Sequence, residues 1–236
     1  MSSMPRLLRL MAFAILWAPA FATAAADGTT VRKPAAWIDL RGQPPIIIGD
    51  ARAGQARSTV CAACHGPQGM AIASNFPNLA GQSATYLYVQ LKTFKHGQRS
   101  DPVMSGQAAT LSDADMRNLA VHYASLPAKP AGHADAASRG GRLFLGGDPT
   151  RGIPPCQACH GPSGRGPRLY PGDAPQPPWA TFPYLHGLSA IYVSKALDDF
   201  RSGARSGTSN ALIMHGVAQT LDDADIQALS SYIATQ

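Results

Sequence analysis

The stretches Cys61-Ala-Ala-Cys64-His65 and Cys156-Gln-Ala-Cys159-His160 are two copies of one motif, Cys-x-x-Cys-His, and together they use all four cysteines of the 236-residue chain. In this motif each cysteine thiol can add to a haem vinyl group, and the histidine that follows can bind the iron. The sequence therefore predicts two covalently bound haem c groups, with His65 and His160 as iron ligands and the four cysteines as attachment points: Cys61, Cys64, Cys156 and Cys159.

Three other roles for the cysteines explain the sequence less well. A thioredoxin-like pair has no need of the following histidine, and no βαβ pattern surrounds either copy of the motif. A four-cysteine zinc site usually has its two halves within about twenty residues, whereas Cys64 and Cys156 lie in different halves of the chain. Disulfides are compatible with an exported protein, but they leave the two coincident histidines unexplained.

The first 26 residues have the composition of a secretion signal. Arg6 and Arg9 precede an apolar run over residues 10–22, and the small residues Ala22-Thr23-Ala24 suit a signal peptidase. The run is too short for a spanning helix and contains Pro19, so an uncleaved anchor is the weaker alternative. We therefore expect export to the periplasm, which agrees with haem attachment outside the cytoplasm.

Charge excludes one class of partner. The formal net charge of the whole chain is +6, and removal of Arg6 and Arg9 with the signal would lower it to +4. An excess of this size, spread along the chain, is too weak to indicate nucleic-acid binding. We therefore expect protein partners.

An internal repeat surrounds the two motifs. When His65 is aligned with His160, Phe76-Pro-Asn-Leu-Ala-Gly81 matches Phe182-Pro-Tyr-Leu-His-Gly187. Further along, Leu111-Ser-Asp-Ala-Asp-Met116 matches Leu221-Asp-Asp-Ala-Asp-Ile226. Helical apolar patterns follow each block, and four residues are placed to cap those helices: Ser83, Ser112, Ser189 and Asp222. The repeat predicts an all-α fold of two homologous units, each built around one haem.

The repeat also sets the expected organisation of the chain. A stretch rich in proline, Leu126-Pro-Ala-Lys-Pro-Ala-Gly132, reads as a connector whose shortness favours docked units. An extension before the first unit has no counterpart in the second, and it either packs onto the body or meets a partner. The expected segments are a signal peptide at 1–26, the extension at 27–48, domain 1 at 49–126, a linker at 127–134 and domain 2 at 135–236.

The sixth ligand of each iron decides between electron transfer and catalysis. Among the methionines and histidines outside the two motifs, only Met104 and Met214 recur in register, each seven residues before the leucine of the later block. We predict that both lie in a loop between helices and bind iron through sulfur. An ordinary core methionine is the alternative role, and His215 is a competing nitrogen donor beside Met214.

With these residues assembled, the chain resembles the class I cytochromes c, and more closely the dihaem cytochrome c₄ family, over residues 49–236. The resemblance implies two tandem cytochrome c domains, His/Met ligation at both irons and a periplasmic setting. It also implies that the backbone carbonyls of Pro77 and Pro183 accept hydrogen bonds from the two iron-binding histidines. The second unit departs from the family by an insertion at residues 166–178, which removes no ligand.

The function that the resemblance implies is one-electron transfer to or from a membrane respiratory complex or a periplasmic dehydrogenase, without catalysis by the chain itself. Peripheral association with the membrane is compatible with this role. One alternative is a permanent cytochrome subunit of a dehydrogenase, with the extension or the insertion as its interface. Another is a haem enzyme, such as a peroxidase or a sulfur-compound oxidase, which needs an open iron site.

Overall fold

The computed structural model describes residues 47–130, 132–167 and 178–236. The first unit contains helices α1 Ala51–Arg57, α2 Ala62–His65, α3 Ala84–Lys95, α4 Met104–Ala109 and α5 Asp113–Ser125. The second contains α6 Arg139–Gly146, α7 Gln157–His160, α8 Ala190–Arg201, α9 Ser209–Ala218 and α10 Asp223–Ala234, with 3-10 helices at Pro149–Arg151 and Pro178–Thr181. In these residues the only extended pairing is an isolated bridge between Asp148 and Ile153, so the predicted all-α class is confirmed.

The four predicted helix caps are confirmed by hydrogen bonds. Ser83 accepts from the Tyr86 amide at the start of α3, and Ser189 accepts from the Tyr192 amide at the start of α8. Ser112 and Asp222 each form a capping box, with Asp115 and Asp225 respectively. Each cap satisfies amide groups that the first helical turn leaves unpaired, so the two units begin matching helices at matching residues.

Glycine allows the first and last helices of each unit to cross closely. Helix α1 packs on α5, and α6 packs on α10. A Cβ added at Gly54 would lie 2.1 Å from the Asn118 carbonyl oxygen, and one added at Gly140 would lie 2.1 Å from the Ala228 carbonyl oxygen. No larger residue fits at this separation, so the repeat preserves a close crossing as well as a sequence motif.

Each unit has its own apolar core, and two segments outside helices α1 to α5 complete the first one. Ile47, at the end of the 27–48 extension, is 2% exposed in the core of the first unit, whereas the next residue, Ile48, is exposed. Ala180, from the segment that follows the insertion, joins the same core. The rest of the extension, the signal segment and residues 168–177 of the insertion lie outside the described residues.

The two units meet at their Phe-Pro-x-Leu-x-Gly blocks and at Gln82, the residue that follows the first block. The Gln82 side chain donates to the Tyr184 carbonyl oxygen at 2.8 Å and accepts from the Tyr184 amide at 2.8 Å. Asn78 Nδ2 donates to the Gly187 carbonyl oxygen at 2.6 Å. Gln82 is buried, and a buried amide with both ends hydrogen-bonded fixes one relative position of the two blocks.

None of the helices in the described part of the chain has both the length and the apolar composition needed to cross a bilayer.

Candidate haem sites

Each Cys-x-x-Cys-His motif folds as a single helical turn. Cys61 precedes α2 and Cys156 precedes α7, and the amide of each motif histidine donates to the carbonyl of its first cysteine at 2.9 and 3.0 Å. Glycine at positive φ ends both turns, and a Cβ added at Gly66 would lie 1.9 Å from the Met70 carbonyl oxygen. The turn therefore holds both cysteines and the histidine in one short, rigid segment.

The two motif histidines are oriented in the same way. His65 Nδ1 lies 2.9 Å from the Pro77 carbonyl oxygen, and His160 Nδ1 lies 3.0 Å from the Pro183 carbonyl oxygen. A carbonyl oxygen can only accept, so Nδ1 carries the proton and Nε2 is left with a free lone pair. A fixed imidazole with Nε2 available fits an axial iron ligand.

Burial keeps both imidazoles neutral. His65 and His160 are 6% and 7% exposed, and burial lowers the pKa of each ring although the proline carbonyl acts in the opposite direction. Phe76 and Phe182 lie beside them, with ring centroids 6.3 and 6.4 Å from the respective imidazoles. Because only the neutral imidazole can donate a lone pair to a metal, this environment suits ligation.

Matching hydrogen bonds hold the proline carbonyls in place. The Gly69 carbonyl accepts from the amides of Leu79 and Ala80 at 2.8 and 3.1 Å. In the second unit, the Gly164 carbonyl accepts from the amides of Leu185 and His186 at 2.6 and 3.0 Å. Each glycine lies four residues after its motif histidine, so the turn and the block that orients the histidine are tied together.

The cysteines do not have the properties of a redox-active dithiol. None of the four is paired in a disulfide. Burial raises the pKa of Cys61, and it raises the pKa of Cys156 to about 11. Reactive pairs of the thioredoxin type need a lowered thiol pKa, so this environment favours the haem-attachment reading over the dithiol one.

The prediction that Met104 and Met214 lie in a loop was wrong, because both residues are helical. Met104 is the first residue of α4, where its amide donates to the Asp101 carboxylate at 2.9 Å. Met214 lies inside α9, which begins after Thr208. Asp101 followed by proline, and Thr208, are helix-start signals that were available in the sequence.

Exposure distinguishes these two methionines from a core methionine. Met104 and Met214 are partly exposed, whereas Met116 is 3% exposed in the core of the first unit. The adjacent candidate, His215, donates from Nδ1 to the Phe200 carbonyl oxygen at 2.6 Å and is thereby tied to α8. Neither Met104 nor Met214 is buried in an apolar core, so both thioether sulfurs could reach a ligand.

Comparison with known proteins gives consistent results over both units. The Cytochrome c family profile matches residues 139–236, and the profile of cytochrome c oxidase, cbb3-type, subunit III matches residues 49–122. Cytochrome c4 of Pseudomonas aeruginosa is 43% identical over 187 residues, which are 78% of this chain and 88% of that protein.

Two further relatives extend the comparison. The crystal structure of reduced recombinant cytochrome c4 from Pseudomonas stutzeri matches with a TM-score of 0.70 at 41% identity, covering 79% of this chain and 98% of that one. The thiosulfate dehydrogenase electron acceptor of Stutzerimonas stutzeri is 40% identical over 179 residues, 74% of this chain and 77% of that protein.

Proposed function

The chain belongs to the cytochrome c4 family of dihaem electron-transfer cytochromes, and we propose that it carries single electrons between redox partner proteins in the periplasm through two His/Met-ligated haems. The observation that carries this proposal is the same histidine–proline geometry in both units, at 2.9 and 3.0 Å. We also propose the domain limits 49–126 and 135–236, joined by the linker 127–134 and preceded by a signal at 1–26 and the extension at 27–48.

The protein residues have separate roles in this proposal. Cys61 and Cys64 would hold the first haem through thioether bonds, and Cys156 and Cys159 would hold the second. His65 and Met104 would hold the first iron, and His160 and Met214 would hold the second. When bound, each haem supplies a one-electron couple between ferric and ferrous iron.

The surrounding chain keeps this ligand set fixed. The carbonyls of Pro77 and Pro183 hold the imidazole tautomer and ring orientation, and this fixes the basicity of the nitrogen that faces the metal. Thioether sulfur favours the ferrous state, so Met104 and Met214 would raise the potential relative to histidine at the same position. With a histidine and a methionine holding each iron, no position would be open to a substrate, as a carrier role requires.

Intact-mass measurement tests the attachment sites. Periplasmic protein is expected to lack the signal and to retain two haems after denaturation, because thioether bonds survive unfolding. The paired variant Cys61→Ser/Cys64→Ser is expected to retain one haem, and Cys156→Ser/Cys159→Ser the other. A native mass with one haem or none contradicts the proposal.

Replacement of the methionines tests the distal ligands. Met104→Ala and Met214→Ala are each expected to remove part of the sulfur-to-iron charge-transfer absorption and to let carbon monoxide bind one reduced iron. Met70→Ala, which changes another partly exposed methionine, serves as the matched control and is expected to do neither. If His215→Ala changes the spectrum and Met214→Ala does not, the second iron is ligated by two histidines.

A more specific role is electron acceptance from a dehydrogenase. The relative from Stutzerimonas stutzeri, a thiosulfate dehydrogenase electron acceptor, favours this candidate. Stoichiometric reduction of the oxidised protein by a thiosulfate dehydrogenase with thiosulfate would support it, and copurification of a second polypeptide would indicate a permanent subunit. Carbon monoxide binding to the unaltered reduced protein would instead favour a haem enzyme with an open iron site.

A further inference from the structure

The surface between α8 and α10 in the second unit differs from the matching surface between α3 and α5 in the first. Tyr88 lies on α3, five residues after the cap Ser83, and is 2% exposed in the core of the first unit. Ser194 lies on α8, five residues after the cap Ser189. The first unit therefore places a phenol ring where the second unit has a small side chain.

The surroundings of Tyr88 show what this part of the fold can recognise. Its hydroxyl donates to the Asp113 carboxylate at 2.6 Å and accepts from Arg117 Nη2 at 3.1 Å. The Arg117 guanidinium and the Lys92 ammonium lie 4.6 and 5.3 Å from the ring centroid. Burial and the hydrogen bond to Asp113 raise the pKa of Tyr88 to about 12, so the hydroxyl stays protonated and donates. A carboxylate at the hydroxyl and cations beside the ring thus hold this phenol.

The second unit has an open groove at the matching place. The groove lies between α8 and α10 and has a volume of about 690 Å³, within the usual range of small-molecule sites. Ser194 and Asp223 line it, and they align with Tyr88 and Asp113. The Asp223 side chain is 91% exposed, and Arg201 Nη2 lies 2.7 Å from its carboxylate. This region, the α8–α10 groove, therefore keeps a carboxylate and a cation but has no ring of its own.

A buried hydroxyl in the α8–α10 groove has no partner. Ser230 lines the groove and is 2% exposed, and its Oγ forms no hydrogen bond among the residues that the structure describes. The aligned residue of the first unit is Ala120, which has no polar side-chain atom. An unpaired buried hydroxyl is costly unless a ligand pairs with it. Ser230 follows Asp223 by two turns of α10, about 10 Å along the helix axis, so one elongated ligand could reach both.

The charges around the α8–α10 groove favour an uncharged ligand. Lys195 Nζ lies 2.5 Å from the Asp199 carboxylate, and Arg201 Nη2 lies 2.8 Å from the Asp198 carboxylate. Each cation of the lining is thus already paired with a carboxylate. Most of the lining side chains are polar, which does not suit a lipid chain.

We propose that the α8–α10 groove binds a phenol that carries a polar group opposite its hydroxyl. The hydroxyl donates to Asp223, the ring lies on Ser194, and the polar group pairs with Ser230. A free phenol and a tyrosine side chain presented by another protein share this chemistry. The site goes beyond the proposed electron transfer, because α8 and α10 contain none of the candidate haem ligands.

Three small probes test the recognition of both ends of the ligand. 4-Hydroxybenzyl alcohol has both polar groups, 4-methylphenol lacks the second one, and benzyl alcohol lacks the phenol hydroxyl. In a chemical-shift titration of the reduced mature protein, 4-hydroxybenzyl alcohol is expected to bind at least about fivefold more tightly than either of the others, the gain typical of one hydrogen bond. Equal affinities, or no binding up to the solubility limits, would overturn the proposal.

A variant that fills the α8–α10 groove from within tests its location. Ser194→Tyr places on α8 the ring that Tyr88 supplies in the first unit, and it is expected to weaken binding of 4-hydroxybenzyl alcohol at least about tenfold. Ala114→Tyr, the control, adds the same side chain at an exposed position of α5 and is expected to change the affinity by less than about twofold. An unchanged affinity in Ser194→Tyr, or an equal loss in both variants, would place the binding elsewhere.

Two smaller substitutions separate direct contacts from a structural role. Ser230→Ala is expected to weaken 4-hydroxybenzyl alcohol at least about threefold and to leave 4-methylphenol unchanged, because only the first probe has a group for Ser230. Asp223→Asn is expected to weaken both phenols and to leave benzyl alcohol unchanged. If either variant weakens all three probes alike, the proposed contacts are wrong.

Peptides distinguish the two sources of the phenol. Binding of Gly-Gly-Tyr-Gly-Gly tighter than that of 4-hydroxybenzyl alcohol would indicate a tyrosine of a partner protein, and weaker binding would indicate a free phenol. Equal binding of Gly-Gly-Phe-Gly-Gly and the tyrosine peptide would contradict phenol recognition. Haem number by mass and the sulfur-to-iron absorption, measured on the same samples, report the haem sites separately. Failure of the phenol site therefore leaves the proposed dihaem function standing, and the reverse also holds.

Discussion

The N-terminal and C-terminal units share their helix order and their histidine geometry, yet they differ in the polarity of the core beside the last helix. The N-terminal core contains the buried residues Ser58, His122 and Tyr123, and the matching positions of the C-terminal unit hold Phe144, Tyr232 and Ile233. Among the described residues, His122 Nε2 in the N-terminal unit is buried without a hydrogen-bond partner, as are Ser230 Oγ and Gln236 Oε1 in the C-terminal unit. The fold therefore keeps the same helix crossings at Gly54 and Gly140 while the side chains beside the last helix differ in both size and polarity.

A second difference concerns equivalent carboxylates in the two capping boxes. Asp115 is partly exposed, with Arg57 Nε 3.8 Å from its carboxylate. Asp225 is fully buried and accepts from Arg139 Nη2 at 2.6 Å and from Arg151 Nη2 at 2.5 Å. The same local motif thus serves as a surface cap in one unit and as a buried charge pair in the other.

The largest expected effect comes from removal of the buried carboxylate. Asp225→Asn is expected to lower the free energy of unfolding by about 2 kcal/mol, less than the 3–5 kcal/mol typical of a fully buried pair, because Arg139 and Arg151 are themselves partly hydrated. Asp115→Asn, the matched control, is expected to cost about 1 kcal/mol or less. Denaturant titration at neutral pH measures both, and equal costs would remove the distinction between the two caps.

The ion pairs of Asp225 with Arg139 and Arg151 also affect the stability of the C-terminal unit in acid. Burial would raise the pKa of Asp225, but hydrogen bonds from Arg151 and Arg139 outweigh it and hold that pKa below its usual range. The stabilisation is therefore fully present above the unfolded-state carboxyl pKa of about 3.9 and is lost progressively as the pH falls from there through the lower folded value. Acid titration of Asp225→Asn is expected to lack this transition.

A smaller effect is expected at His122, in the N-terminal unit alone. Burial lowers the pKa of His122, so below about pH 6.5 the unfolded chain binds a proton that the native ring does not. Stability is full above that pH and is expected to fall toward pH 5. His122→Phe is expected to remove this slope and to gain about 1 kcal/mol at pH 5. His96→Asn, at an exposed position, is the control, and an unchanged slope in His122→Phe would assign the effect elsewhere.

The smallest expected effect is a difference between the two reduction potentials. Residues 49–130 hold seven basic and four acidic side chains, whereas residues 131–236 hold eight of each. Positive surroundings favour ferrous iron, so the N-terminal haem is expected to have the higher potential, by tens of millivolts at most because salt screens exposed charge. Titrations of Met104→Ala and Met214→Ala assign the waves, and a higher C-terminal wave would show that haem burial outweighs net charge.

Local sequence signals predicted the parts of the molecule that depend on neighbours within a few residues. The caps at Ser83, Ser112, Ser189 and Asp222 were read correctly, because a cap bonds to an amide two or three residues away. The helices that contain Met104 and Met214 also begin at local signals, Asp101 and Thr208, but the prediction of a loop did not take these signals into account. The ligand roles of these methionines stay a prediction.

By itself, the sequence determined that the chain has two haem-binding units of one helical type, because a five-residue motif and its repeat carry that information. Only the tertiary structure decided that Asp225 is buried by Arg139, 86 residues away, while Asp115 stays partly exposed. It also decided that Arg99 donates to Tyr192 and Arg205 to Tyr86, each across the contact between the units. In the same way, Ala180 packs in the core of the first unit. Burial and charge pairing depend on helices and loops that are distant in the chain. The two capping boxes therefore have the same local sequence pattern but different surroundings in the folded protein.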